Sequence, residues 1–225
     1  MGGFANNAPI VTDGLAFYMD AANDNSYPGS GSTCTDLIND IEGTLFSDAV
    51  YNSANGGNFI FDGADDAVDF NNVGTYTSAT FCCWIKRDGT QNDYAGLALS
   101  RGNGGGTGGI GIRSNSKIFY IWDGDYWDHD SALTIEDGVW TMLTVTLGSG
   151  AVKFYKNTTS ETLSTGTDDV YGNESQSLLN LRVGMDPHSA PRVFIGNIAC
   201  ASIYNRALST TEIQQNYNAL KNRFI

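Results

Sequence analysis

Between Tyr120 and Asp130 the sequence gathers Tyr120, Trp122, Tyr126 and Trp127 with Asp123, Asp125, Asp128, Asp130 and His129, all within eleven residues. Aromatic rings take the C–H face of a sugar, and carboxylate, imidazole and guanidinium groups take its hydroxyls, so this composition points to glycan binding. The expected ligand-binding set is Tyr120, Trp122, Asp123, Tyr126, Trp127 and His129, supported by Arg101 and Arg113 on either side of a glycine-rich loop. Strand phase decides which rings are offered: if Phe119 and Ile121 face the core, Tyr120 and Trp122 line the opposite face. The competing reading has Trp122 and Trp127 closing the end of the fold, with Asp123-Gly124-Asp125 as a turn.

A second group suits a hard cation. Asp62, Asp65 and Asp66 crowd a glycine-containing turn, and Asp20, Asp24, Asp36 and Asp40 fall in N-terminal loops. Ca²⁺ takes carboxylate and carbonyl oxygens from such loops, and the expected ligands are Asp20, Asp36, Asp62, Asp65 and Asp66. The same aspartates can instead cap turns by accepting backbone N–H bonds. The spacing of an EF-hand loop is absent.

Other chemistries find no matching pattern. A retaining glycosidase needs two carboxylates about 5 to 5.5 Å apart, as alternate residues of one strand provide, and none of Glu42, Glu136, Glu161, Glu174 and Glu212 has such a partner. His129 and His188 sit in no triad or zinc-protease context, so no catalytic residue is expected and the chain reads as a non-enzyme. The run Gly102 to Gly109 lacks the Lys-Ser/Thr of a P-loop and precedes a strand. Cys34, Cys82, Cys83 and Cys200 lack metal-site spacing and read as buried free thiols. Lys and Arg total 12 against 25 Asp and Glu, a net charge of −13, which disfavours nucleic acid and anionic membranes. Of those 25 acids 20 are Asp, which places the acidity in turns. No apolar run is long enough to span a membrane, and Met1 to Pro9 lacks the regions of a signal peptide.

The elements that must position these residues are strands. Period-two runs of β-branched and aromatic residues occur at Thr80 to Lys86, Lys117 to Trp122, Val139 to Leu147 and Ala151 to Lys156, the last two close enough to form a hairpin. Shorter candidates lie at Leu15 to Met19, Asn58 to Phe61, Ala67 to Phe70, Ala95 to Ser100, Gly109 to Arg113, Leu181 to Val183 and Arg192 to Tyr204. One helix follows the capping box Ser209-Thr210-Thr211-Glu212, with Ile213, Tyr217, Leu220 and Phe224 along one stripe. The pattern is an all-β sandwich with a short C-terminal helix, organised as an arm over 1–12 and one domain over 13–225.

Several segments resemble the laminin-G-like domains of the concanavalin A-like lectin/glucanase superfamily. They are Gly14 to Asn23, Ser26 to Gly31, Asp36-Leu37 and Gly43-Thr44-Leu45, then Phe61-Asp62-Gly63, the strand centred on Trp84, Gly138 to Thr146, and Ile203 to Ser209 with Glu212-Ile213. The resemblance implies a jelly roll of two antiparallel sheets. Relatives hold a structural Ca²⁺ through a loop that here reads Ile38 to Glu42, and carry an aromatic where Cys34 stands. Stand-alone domains of this subtype with Gly-, Asn-, Ser- and Thr-rich composition resemble structural proteins of tailed bacteriophages. That resemblance implies a virion surface component of capsid or tail, made in the host cytoplasm without a signal peptide. It would form a symmetric homo-oligomer among other virion proteins and attach to host or environmental glycans. One alternative is a decoration or scaffold protein that binds only protein neighbours, through Met1 to Asp13 and an apolar sandwich face. Another, carried by fold analogy alone, is a glycoside hydrolase.

Overall fold

The computed structural model describes residues 8–47, 49–101, 107–122, 132–148, 151–162, 175–188 and 192–225. Its β-branched and aromatic runs form two antiparallel sheets. An eight-stranded sheet contains β1 (Leu15–Asp20), β4 (Val50–Asn52), β5 (Asn58–Asp62), β7 (Ala79–Arg87), β11 (Thr141–Gly148), β12 (Ala151–Lys156), β13 (Thr159–Thr162) and β15 (Ile195–Tyr204). Its order is β13-β12-β11-β7-β15-β5-β4, and the ten-residue β15 is long enough to pair with both β5 and β1. The seven-stranded sheet runs β10 (Ile118–Trp122), β9 (Gly108–Ile112), β8 (Ala95–Ser100), β14 (Gln176–Val183), β6 (Ala67–Tyr76), β3 (Glu42–Phe46), β2 (Thr33–Thr35). The expected hairpin is present, with Gly148 opposite Ala151. The turn between β5 and β6 uses Gly63 at φ +88°, a backbone state that a side chain at this position would strain.

Alternation sorts the strand residues between two environments. Phe81, Cys83 and Ile85 of β7 enter the main core, as do Leu143, Val145 and Leu147 of β11; Val68 and Phe70 of β6 and Ile110 and Ile112 of β9 meet them from the opposite sheet. Cys82, Trp84 and Met142 point the other way and would face water if nothing covered them. The helix α1 (Thr210–Leu220) and the residues after it cover them. Trp84 stacks on Tyr217 and Phe224 at ring-centroid distances of 5.6 and 4.4 Å, and Trp140 lies 4.7 Å from Phe224. The stripe read from helical spacing is therefore the docking face. All four cysteines are free and buried, and burial pushes the Cys82 thiol up to about 11 and the Cys34 thiol up to about 12.

Helix and arm are fastened together. Val11 donates its N–H to Asn216 Oδ1 at 2.8 Å, Asn216 Nδ2 donates to Tyr204 Oη at 3.0 Å, and Tyr204 Oη donates to the Val11 carbonyl at 3.0 Å. The capping box predicted at Ser209 is formed. Arg206 adds a fork onto Glu212 at 3.1 and 2.6 Å, which with the Ser209 N–H draws the Glu212 carboxyl down from its usual 4.5 to about 2. A carboxylate depressed on folding stabilises the native state fully above its unfolded value, and that contribution is lost as pH falls through the folded one. The melting temperature should therefore drop between pH 4.5 and 2, and Glu212→Gln should flatten part of that slope. Identical slopes in the two proteins would show that the pairing does not stabilise the helix.

Candidate functional site

The aromatic segment is placed differently from the expectation. Tyr120 and Trp122 have no exposed surface and lie in the core between the sheets, where Trp122 meets Phe81 at 6.3 Å and Tyr120 meets Phe154 at 5.8 Å. Phe119 and Ile121 take the outer face, in a small cluster with Leu99 and Tyr94. The strand phase is thus the reverse of the one that would offer Tyr120 and Trp122 to a ligand. All five β10 residues are buried, so no polar residue marks its outer side. Asp123, Tyr126, Trp127 and His129 lie outside the described residues.

The two supporting arginines are placed, and each joins a carboxylate. On the outer face of β9, Gly111 leaves room for the Phe119 ring, which a Cβ would approach to 2.4 Å. Beside it Tyr94 adopts φ +60°, unusual for a bulky residue, and its ring meets Phe119 edge-on at 5.6 Å. Arg113 lies 3.9 Å over that ring and Arg192 lies 4.7 Å from its centre. Arg113 also forks onto Asp93 at 2.8 and 3.1 Å; this pairing, with Ser114, holds the Asp93 carboxyl down from 3.8 to about 2. The neighbouring segment crosses β8 so closely that a Cβ on Gly96 would meet the Asp186 nitrogen at 2.3 Å. It delivers the fully buried Asp186 to Arg101, at 2.8 and 3.1 Å, and to Arg192 at 2.8 Å. The His188 imidazole is held below its usual value by burial and by Arg192 and Arg101.

Sequence reasoning found Arg101 and Arg113 but missed Tyr94, Asp186 and Arg192. Asp186 is 85 residues from Arg101, and no local pattern links them. The result is a guanidinium–aromatic surface on an otherwise acidic protein. Its guanidinium N–H groups are of the type that meets sugar hydroxyls, while the half-buried Tyr94 ring is packed against both guanidiniums.

The aspartates divide into two kinds. Asp62, Asp65 and Asp66 each bring one oxygen within 4.8 Å of the others, in the turn held by Gly63. Asp66 is buried there and accepts the Asp62 N–H at 2.9 Å, while Asp62 accepts the Ala64 N–H at 2.7 Å. This turn can gather oxygens around a hard cation. Asp20 and Asp36, also expected as ligands, are instead engaged by N–H and O–H donors. Asp36 accepts from the Tyr18, Ile38 and Asn39 backbone, and Asp20 accepts from Ala22 N, Tyr18 Oη and the Arg223 guanidinium. Their oxygens serve as turn caps and an ion pair, and of the five expected ligands the structure brings together only Asp62, Asp65 and Asp66.

The aromatic-rich inner faces of the two antiparallel sheets and the helix closing one outer face define an all-β sandwich. A family profile described as the concanavalin A-like lectin/glucanases superfamily, of laminin-G type, matches residues 62–214, and the chain belongs to that family. Comparison with curated proteins finds no match. Among solved structures, domain 4 of AbnA, a GH43 extracellular arabinanase from Geobacillus stearothermophilus solved with arabinotriose, is similar at TM-score 0.68 and 16% identity, covering 90% of this chain and 98% of that one. Trypanosoma rangeli sialidase in complex with sialic acid is similar at TM-score 0.69 and 15% identity, over 96% of this chain. This chain spans only 35% of that sialidase. The binding domain of Paraclostridial Mosquitocidal Protein 1 matches at TM-score 0.68 and 14% identity, covering 92% of this chain and 52% of that one. These likenesses establish the fold. Among the described residues no helix is long and apolar enough to cross a membrane.

Proposed function

We propose that the protein is a virion surface component, of capsid or tail, whose lectin-like sandwich attaches to host or environmental glycans. The observation that carries the glycan reading is the guanidinium–aromatic surface of Tyr94, Arg113 and Arg192, built on a sandwich that matches almost the whole of an arabinanase domain solved with arabinotriose. The virion setting is supported by the Gly-, Asn-, Ser- and Thr-rich composition and the motif order. Tyr126, Trp127 and His129 complete the proposed sugar-binding set, with Asp123, Arg101 and Arg113. A glycan array should show the wild type retained on a subset of sugars, with Trp127→Ala and Tyr94→Ala each weakening retention at least tenfold. Absence of binding by the wild type removes the glycan reading and favours the scaffold alternative. Release of reducing ends from a polysaccharide, abolished by removal of one carboxylate, would instead establish a hydrolase.

The same proposal assigns a structural Ca²⁺ to the oxygens of Asp62, Asp65 and Asp66. An ion bound only by the native state stabilises it, by about 2.7 kcal/mol at a hundred times its dissociation constant. Melts with Ca²⁺ should lie above melts with EDTA, and Asp65→Asn should remove the difference. Superimposed wild-type curves would leave the three aspartates as turn caps.

A further inference from the structure

We propose that a cleft between the β12–β13 turn and helix α1 is a second binding site, for a neutral polyhydroxylated ligand of one or two sugar units. The cleft is open to solvent, has a volume of about 460 Å³, within the size range of small-ligand sites, and is lined by Leu133, Thr134, Lys156, Asn157, Thr158 and Tyr217, among others. It lies on the side of the eight-stranded sheet covered by α1, whereas Tyr94 and the arginines are on the outer face of the other sheet.

Three separate elements make its walls, and each is fixed by contacts outside the cleft. Asn157 turns the chain at φ +55°, donates its N–H to the Met142 carbonyl at 2.7 Å and accepts the Met142 N–H on Oδ1 at 2.9 Å. With Oδ1 held in this way, the Asn157 amide has its Nδ2 donors in a set direction. The facing segment is pinned by Glu161, whose Oε2 accepts the N–H groups of Ala132 and Leu133 at 2.6 and 3.3 Å. The ring of Tyr217 is held by its stack on Trp84. Walls fixed in advance need little reordering when a ligand enters, which keeps the entropic cost of binding low.

The lining also selects the ligand class. Threonine hydroxyls, the Asn157 amide, the Tyr217 phenol and the Lys156 ammonium supply both donors and acceptors. Lys156 pairs with Glu136 at 2.5 Å, so its charge is balanced, and the described lining residues include no carboxylate that would hold a cation. An apolar ligand finds little apolar surface here to bury and makes no use of these donors and acceptors. A neutral molecule rich in hydroxyls satisfies them.

This site shares only the ligand class with the glycan reading above and does not depend on Tyr94 or Trp127. Arabinobiose and lactose, titrated into ¹⁵N-labelled full-length protein, are the probes. Amide shifts should concentrate at residues 132–134 and 156–159 and near Tyr217. Tyr217→Phe keeps the ring on Trp84 and removes the hydroxyl, and Thr158→Val removes another hydroxyl at nearly constant volume; together they should weaken binding at least tenfold with an unchanged melting temperature. Trp127→Ala should leave these shifts intact, so failure of the other proposal remains distinguishable. Absence of shifts in these residues at saturating sugar, or equal affinity of the double variant, overturns the proposal.

Discussion

Asp186→Ala is expected to destabilise the protein by about 3 to 5 kcal/mol, the cost of breaking a buried ion pair by removing one partner. The carboxylate has no exposed surface, and the side chains of its partners Arg101 and Arg192 are 16% and 14% exposed. Its removal takes the counter-charge from two guanidiniums that have already lost most of their water. The damage should spread along the outer face of the seven-stranded sheet. Arg192 also lies over Tyr94, and the segment carrying Asp186 is seated directly on Gly96 of β8. Asp186→Asn keeps the shape and one acceptor oxygen, so it should fall between wild type and the alanine variant. Urea unfolding of the three proteins measures this. Replacing the triad together, as Arg101→Met, Asp186→Leu and Arg192→Met, removes the charges with their partner and should recover much of the loss. A loss below about 1 kcal/mol for Asp186→Ala would mean that water solvates the arginines as well as the carboxylate does.

The parts of this molecule that were legible in the sequence are those where one side of an element differs chemically from the other. Strand alternation puts the adjacent Cys82 and Cys83 on opposite faces, and they lie in different clusters. The helix was legible because its cap and apolar stripe are both local. Strands β2, β3, β4 and β13 were not: Thr33–Thr35 and Thr159–Thr162 are short and polar, and they become strands by pairing with β3 and β12. The candidate surface was half legible. Arg101 and Arg113 stand beside a conspicuous glycine run, but the carboxylates that orient them come from elsewhere in the chain. The aspartates repeat the lesson. Asp36 accepts the Ile38 and Asn39 N–H groups, two and three residues on, and Asp20 accepts that of Ala22, as a turn reading anticipates, whereas the ion pair of Asp20 is with Arg223, 203 residues away.

Trp122→Ala should cost a comparable amount, about 3 to 5 kcal/mol, because it empties a fully buried aromatic site. The value should fall at the upper end of that range for a local reason. Trp122 is paired in register with Gly108, and a Cβ placed on that glycine would lie 3.1 Å from the indole. The ring therefore fills the space of two positions, its own and the glycine's, and alanine leaves both without a side chain. Phe81 from the other sheet would lose its edge contact as well. The measurement is a urea or thermal melt, with Trp127→Ala as a companion that keeps the core ring in place. This pairing bears directly on how a sugar-binding assay is read. Loss of binding in a Trp122→Ala protein would reflect a loosened sandwich, since neither face of the indole reaches solvent. A Trp122→Ala protein as stable as wild type but unable to bind glycan would place the ring at the surface and return β10 to the phase in which Tyr120 and Trp122 face the ligand.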